Sequence, residues 1–206
     1  MLELWLIRHG VTEWHGTGRL HGQTDVALGT LGLEQARKLK ARLASHTFDA
    51  VYSSDLSRAL ATARAVLGGR DLVVDERLRE MAYGTLEGKN KHFLSEADRQ
   101  TLQACRDDAQ PVPAPGGESW RDLETRTAAW LTSLPPTGRV AAFTHGGVVR
   151  CAVSLLTADP VARDWRARLD YTSLTRLTLF GGKSVLEVFG DASHLDEKKW
   201  EERSKN

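Results

Sequence analysis

Short, almost wholly apolar runs alternate along the chain with longer stretches in which apolar residues return every three or four positions. The runs are 2–7 (Leu-Glu-Leu-Trp-Leu-Ile), 50–53 (Ala-Val-Tyr-Ser), 72–75 and 139–144. Runs of this length without polar alternation predict strands buried on both faces of a sheet. The periodic stretches are 30–45, 55–67, 118–133 and 147–157. In the first, Leu31, Leu33, Ala36, Leu39 and Leu43 recur among Glu, Arg and Lys, the spacing of an amphipathic helix. The second is Ala-rich and stops at Gly68-Gly69, a helix-ending pair. The third follows Pro115-Gly116-Gly117, and the fourth follows His145-Gly146. Strands alternating with helices predict an α/β fold, a three-layer α/β/α sandwich with a mostly parallel central sheet. Near the end, Leu174–Phe180 and Ser184–Phe189 flank Gly181-Gly182-Lys183 and predict a hairpin at the sheet edge.

Two stretches fall outside this alternation. Residues 84–117 contain Gly84, Gly88, Pro111, Pro113 and Pro115 with little periodicity, and predict an irregular insertion forming a small lid. Residues 191–206 are charged and predict a frayed helix or tail. At 206 residues and 41% hydrophobic, the chain suits one domain with a real core, spanning 1–206 with its lid at about 84–117. The formal net charge is +1, so no broad basic field points to nucleic acid or a membrane surface. Any bound anion must be held by locally placed cations. Cys105 and Cys151 are too few for a disulfide framework and match no zinc spacing. No apolar run nears the roughly 20 residues that a bilayer span needs. No basic segment precedes the first strand, so no signal peptide is expected. These features predict a cytoplasmic domain, monomer or homodimer, with a small molecule rather than nucleic acid or membrane as its partner.

The run 2–7 ends in Arg8-His9-Gly10, and the run 139–144 ends in Thr144-His145-Gly146-Gly147. Ligands of parallel α/β sheets bind at the carboxyl ends of the strands. Both histidines are therefore expected at one sheet edge if these two strands are neighbours. A neutral imidazole, with an ordinary pKa near 6.5, is a competent nucleophile toward phosphorus. Phosphoryl transfer asks a protein mainly for positioning and charge neutralisation. Arg8 and Arg58, the latter at the start of the helix after Tyr52-Ser53-Ser54, offer planar forks that pair with phosphate oxygens. A leaving alkoxide needs a proton, and Glu80 is a candidate donor. Taken alone, Glu80 reads equally well as a surface carboxylate paired with Arg77 or Arg79. A single strand-end histidine or helix-start arginine likewise reads as structural. Four such residues at one edge favour chemistry.

At these residues the chain resembles the histidine phosphatase superfamily, which includes cofactor-dependent phosphoglycerate mutases and small-molecule phosphatases. The match rests on four motifs, in the family's order, over about residues 1–150. They are Arg8-His9-Gly10-Val11-Thr12; Ser54-Asp55-Leu56-Ser57-Arg58-Ala59-Leu60-Ala61-Thr62-Ala63; Glu80 ahead of Tyr83-Gly84-Thr85-Leu86-Glu87-Gly88; and Thr144-His145-Gly146-Gly147. The resemblance implies a phosphatase acting on small phosphorylated metabolites without metal or other cofactor. His9 would be the phospho-accepting nucleophile, and Arg8, Arg58 and His145 the phosphate pocket. Glu80 would protonate the leaving group, and His145 would act as a cation stabilising the transferring phosphoryl. The expected substrate-binding residues around them are His15, His21, Gly22, Tyr83, Lys91 and Gly146. The chain departs from the family's usual pattern with Val11 in place of Glu or Gln, His15 in place of Asn, and Thr144 in place of Ser or Ala.

The alternative implied by the same family is a mutase, which shares the phosphohistidine, and Asn90-Lys91 resembles a mutase-like pair. Against it, the insertion is short and carries only isolated Arg99 and Arg106. It ends in Pro115-Gly116-Gly117-Glu118-Ser119, of phosphatase character, and Gly147 stands where mutases tend to have Asn. A catalytically inactive phosphate-binding relative is the other alternative. Retention of all five central residues weighs against it.

Overall fold

A computed structural model describes residues 1–107, 111–158 and 168–195; the charged stretch 196–206 lies outside the described residues. Along them run β1 (Leu2–Arg8), α1 (Thr30–Leu43), β2 (Ala50–Ser53), α2 (Ser57–Leu67), β3 (Val73–Val74), α3 (Glu96–Cys105), α4 (Trp120–Thr132), β4 (Gly138–Thr144), α5 (Gly146–Thr157), β5 (Leu174–Phe180) and β6 (Lys183–Asp191). Short 3-10 turns at Glu76–Leu78 and Gly84–Leu86 lie between β3 and α3. The sheet order is β3-β2-β4-β1-β5-β6. The first four in that order are parallel, and the β5–β6 hairpin closes the far edge in antiparallel pairing.

β1 and β4 pair in parallel from Leu2↔Gly138 to Arg8↔Thr144. The two strands end side by side, so His9 and His145 leave the sheet as neighbours. Successive side chains of a strand face opposite ways, and both faces here are covered. Leu2, Leu4 and Leu6 enter a cluster with Val140, Ala142, Leu123, Trp130 and Val149; Trp5 and Ile7 join Ala36, Leu39, Ala63, Ala141 and Phe143 on the other side. Fully burying each Leu, Ile, Val or Phe among these contributes about 1.5–3 kcal/mol. The continuous apolar runs of β1 and β4 follow from this double coverage.

The run 72–75 departs from expectation. It forms a two-residue strand bonded to β2 alone, with Val73 and Val74 53% and 50% exposed. As the outermost strand it has one neighbour, and its apolar pair stays half in water. The described residues of the stretch 84–117 also hold more regular structure than their composition suggests. It contains α3, whose N-cap Ser95 accepts a hydrogen bond from Asp98 N–H. Leu86, Leu94, Cys105 and Ala114 are buried in the same cluster as Leu4 and Leu6. The polar sequence of α3 hides a helix pinned by a few apolar contacts. α4 begins at Trp120 behind a capping box, in which the Ser119 and Asp122 side chains each accept the other's backbone N–H. Among the described residues no helix is long and apolar enough to cross a membrane.

Candidate active site

His9 follows β1 directly. Its N–H donates to the Thr144 carbonyl at 2.9 Å, and its carbonyl accepts from Thr172 N–H at 3.1 Å, fixing the chain on both sides. The ring is buried, with Nδ1 2.7 Å from the Gly10 carbonyl. A carbonyl only accepts, so this contact assigns the proton to Nδ1 and the lone pair to Nε2. Burial, followed by the charges of Arg58 and Arg8, holds the imidazole well below its ordinary pKa of 6.5. A neutral ring with a fixed tautomer is suited to attack through Nε2.

Arg8 donates through Nη1 to the Leu169 carbonyl at 2.6 Å, and its guanidinium lies 4.0 Å above the Tyr171 ring. Arg58, in the first turn of α2, is wholly buried and donates to the carbonyls of Gly22 (2.6 Å) and Thr24 (3.0 Å). Gly22 sits at φ +53°, a conformation costly for other residues. An ideal Cβ there would come within 2.0 Å of Glu87 Oε1. That oxygen accepts from the N–H groups of Gln23 and Tyr83, both at 2.9 Å. The glycine thus lets the 22–24 turn aim its carbonyls at Arg58. Burial pulls the Arg58 pKa down, while Glu80, Asp25 and Glu87 push it back up.

The His145 ring centroid is 5.0 Å from that of His9, and its Nε2 is 3.0 Å from Ser54 Oγ. Burial, then Arg58 and His9, hold His145 well below the ordinary imidazole value. Burial first, and the neighbouring cations after it, thus disfavour a charge on His145 while the pocket holds no anion. Arg8 Nε, Arg58 Nε and His145 Nδ1 are all buried without a hydrogen-bond partner among the described residues. Each unsatisfied buried polar group costs about 1–3 kcal/mol. Three of them, on side chains that all bear on His9, mark a place built for an acceptor-rich anion. The N-terminus of α5 adds its dipole at the same edge.

Glu80 is not the partner of its neighbours. Arg77 pairs with Asp75, and Arg79 with Asp55. The Glu80 carboxylate instead accepts from Met81 N–H at 2.9 Å and from Gly147 N–H at 3.1 and 3.2 Å to its two oxygens. An ideal Cβ on Gly147 would come 2.2 Å from Glu80 Oε1. The glycine leaves room for the carboxylate.

The remaining expected residues divide. His21 is half-buried, with Nε2 2.7 Å from Thr12 Oγ1, and burial, then Arg58 and Arg8, lower its pKa to about 4. Gly146 lies against the pocket; an ideal Cβ there would be 3.6 Å from Arg8 Nε. His15 is exposed and packs edge-on to Tyr171, with centroids 5.8 Å apart. Lys91 is exposed on a loop tied to the 17–20 segment, its N–H donating to the Gly18 carbonyl at 2.8 Å. Tyr83 is packed into the core. Its ring is buried with Leu86 and Cys105, and its hydroxyl accepts from Arg106 at 2.8 Å.

Three neighbours went unread as site residues. Ser54 meets His145, and Tyr171 lies 5.6 Å from His9 by ring centroids. Thr62 accepts from Gly10 N–H at 3.0 Å and donates to the Arg58 carbonyl at 2.7 Å. The signal for Thr62 was its spacing, four residues beyond Arg58 on the same helix face. Tyr171 lies outside every motif and carries no such signal.

A family model described as histidine phosphatase superfamily (branch 1) matches residues 4–192. The Probable phosphoglycerate mutase GpmB of Salmonella choleraesuis is 34% identical over 206 residues, spanning 95% of this chain and 96% of its own. A phosphoserine phosphatase variant of Entamoeba histolytica, solved with phosphoserine, superposes with a TM-score of 0.81 at 28% identity, covering 95% of this chain and 100% of its own. A mycobacterial glucosyl-3-phosphoglycerate phosphatase, solved with VO3, gives a TM-score of 0.77 at 31% identity over 91% and 98% of the two chains.

Proposed function

Because the chain belongs to the histidine phosphatase superfamily, we propose that it hydrolyses phosphate monoesters of small metabolites in two steps, through a phosphohistidine at His9. His9 Nε2 attacks phosphorus, the ester P–O bond breaks, and Glu80 gives its proton to the departing alkoxide. Water then attacks the phosphohistidine, the N–P bond breaks, and Glu80 takes back a proton from that water. Arg8, Arg58 and His145 hold the phosphoryl oxygens throughout. The scheme uses no metal and no cofactor. The observation that carries this reading is the convergence of Arg8 Nε, Arg58 Nε and His145 Nδ1, buried without a hydrogen-bond partner among the described residues, around a histidine whose tautomer leaves Nε2 for attack. A phosphate dianion placed among them raises the pKa of His145, so the cation arrives with the substrate. Both cysteines are buried thiols outside any disulfide, which fits a reducing compartment such as the cytoplasm.

A phosphatase is favoured over a mutase because the insertion's two arginines are engaged elsewhere. Arg99 pairs with Glu96 and donates to the Leu94 carbonyl, while Arg106 donates to the Tyr83 hydroxyl. The mutase reading is supported by the name of the Salmonella relative and by Asn90-Lys91. Rapid quenching with a phosphate-labelled ester tests the mechanism. Acid-labile label on His9, absent in His9→Ala, is expected; label on another residue, or none during turnover, rejects it. Isomerised product whose formation depends on a bisphosphoglycerate primer would move the assignment to mutase.

A further inference from the structure

The side chain of Glu80 is held by two backbone N–H groups, but its main chain is held far more firmly. Arg126, on the second turn of α4, donates from Nη1 to the carbonyls of Arg77 (2.8 Å) and Arg79 (2.6 Å), and from Nη2 to that of Glu80 (3.0 Å). The same guanidinium spans both carboxylate oxygens of Glu118, at 2.7 and 2.9 Å. Glu118 Oε2 in turn accepts from Ala82 N–H at 2.9 Å, on the far side of Glu80. Gln23 Nε2 donates to the Glu80 carbonyl at 3.1 Å. Side chains from three distant positions thus tie the backbone at 77, 79, 80 and 82, on both sides of one residue.

Such a network is an expensive way to stabilise a loop. The Arg126–Glu118 pair is only 17% and 21% exposed, and at that depth desolvation offsets much of the attraction. What the arrangement does provide is geometry. A planar fork with five donors can satisfy three carbonyls and a carboxylate at once, whereas a lysine offers a single point of charge. The segment fixed in this way is the one that brings the Glu80 carboxylate to Gly147 N–H at the start of α5.

We propose that Arg126, locked by Glu118, is a positioning residue for proton donation by Glu80. The proposal rests on Glu80 being the proton donor, and its test separates the two ideas. An alkyl phosphate such as glycerol 3-phosphate needs a protonated leaving group. An activated aryl phosphate such as 4-nitrophenyl phosphate does not. In kcat/KM, which reports formation of the phosphoenzyme, Arg126→Lys and Glu118→Gln are expected to lose about tenfold to a hundredfold on the alkyl ester. On the aryl ester the same variants should stay within about threefold of wild type. Retained aryl turnover is itself the control for folding, and Arg126→Lys keeps the charge while removing the fork. Glu80→Gln should show the same selectivity, more strongly. Equal loss on both esters, or loss on neither, by Arg126→Lys beside a selective Glu80→Gln overturns the positioning role alone. A non-selective Glu80→Gln takes down the proton-donor reading and the positioning role with it.

Discussion

At the scale of single residues, Gly147 is a glycine because of what sits above it rather than because of its backbone. It lies in the first turn of α5, and a methyl group there would overlap Glu80 Oε1 at 2.2 Å. The overlapping atom is the end of a flexible side chain, so the carboxylate would swing away rather than the helix unfold. Gly147→Ala is therefore expected to lower kcat/KM on alkyl phosphates by about tenfold to a hundredfold, with a melting temperature close to wild type. A large drop in melting temperature with intact kinetics would contradict this account. Legibility at this scale followed locality. His9, Arg58, Glu80 and His145 announce themselves through neighbours in sequence, while the direction of Tyr83 depends on where Leu86 and Cys105 have room for a phenol. Arg126 and Glu118 were invisible for a related reason, since their partners are main-chain atoms some forty residues upstream.

At the scale of elements, the site is the product of one register. Pairing of β1 with β4 sets Arg8 opposite Thr144, and each strand then delivers its histidine at the next step. The runs 2–7 and 139–144 could be read as strands because burial on both faces removes polar alternation. The same logic misread 72–75, where an apolar pair serves at the sheet edge, and missed the polar α3. This difference is measurable. Phe143 on β4 is fully buried among Trp5, Ile7, Ala36 and Leu39. Phe143→Ala is expected to cost about 3–5 kcal/mol, read as a lower denaturation midpoint at unchanged slope. Val73→Thr, on the half-exposed edge strand, should change stability by less than about 0.5 kcal/mol. Comparable losses from the two substitutions would contradict the burial of β4 relative to β3.

At the scale of the whole molecule, buried histidines, in the pocket and at His194 beside Thr172, make folding sensitive to acid. His9 and His145 are held well below 6.5, and His21 and His194 are lowered to about 4, with burial the leading cause for all four. The unfolded chain keeps imidazoles near 6.5 and so takes up protons first as pH falls. Stability is thus fully present above about pH 6.5 and declines below it, by at most about 1.4 kcal/mol per pH unit for each of the two fully buried rings. Melting curves should be nearly level from about pH 8 to 7 and fall from about pH 6.5 towards 4, less steeply in His9→Asn; a melting temperature that rises on acidification would refute this. The placement of β1 also has a consequence for synthesis. β1 lies between β4 and β5, and Arg8 leans on the Leu169 carbonyl and the Tyr171 ring. A ribosome that has released the first 150 residues has delivered every recognisable motif. At that moment β1 still presents a bare edge, of the kind that invites pairing with other chains, and Arg8 has nothing to lean on. Only when the hairpin emerges does the nascent enzyme close that edge, so the pocket is among the last parts of the molecule to mature although its nucleophile is among the first residues made.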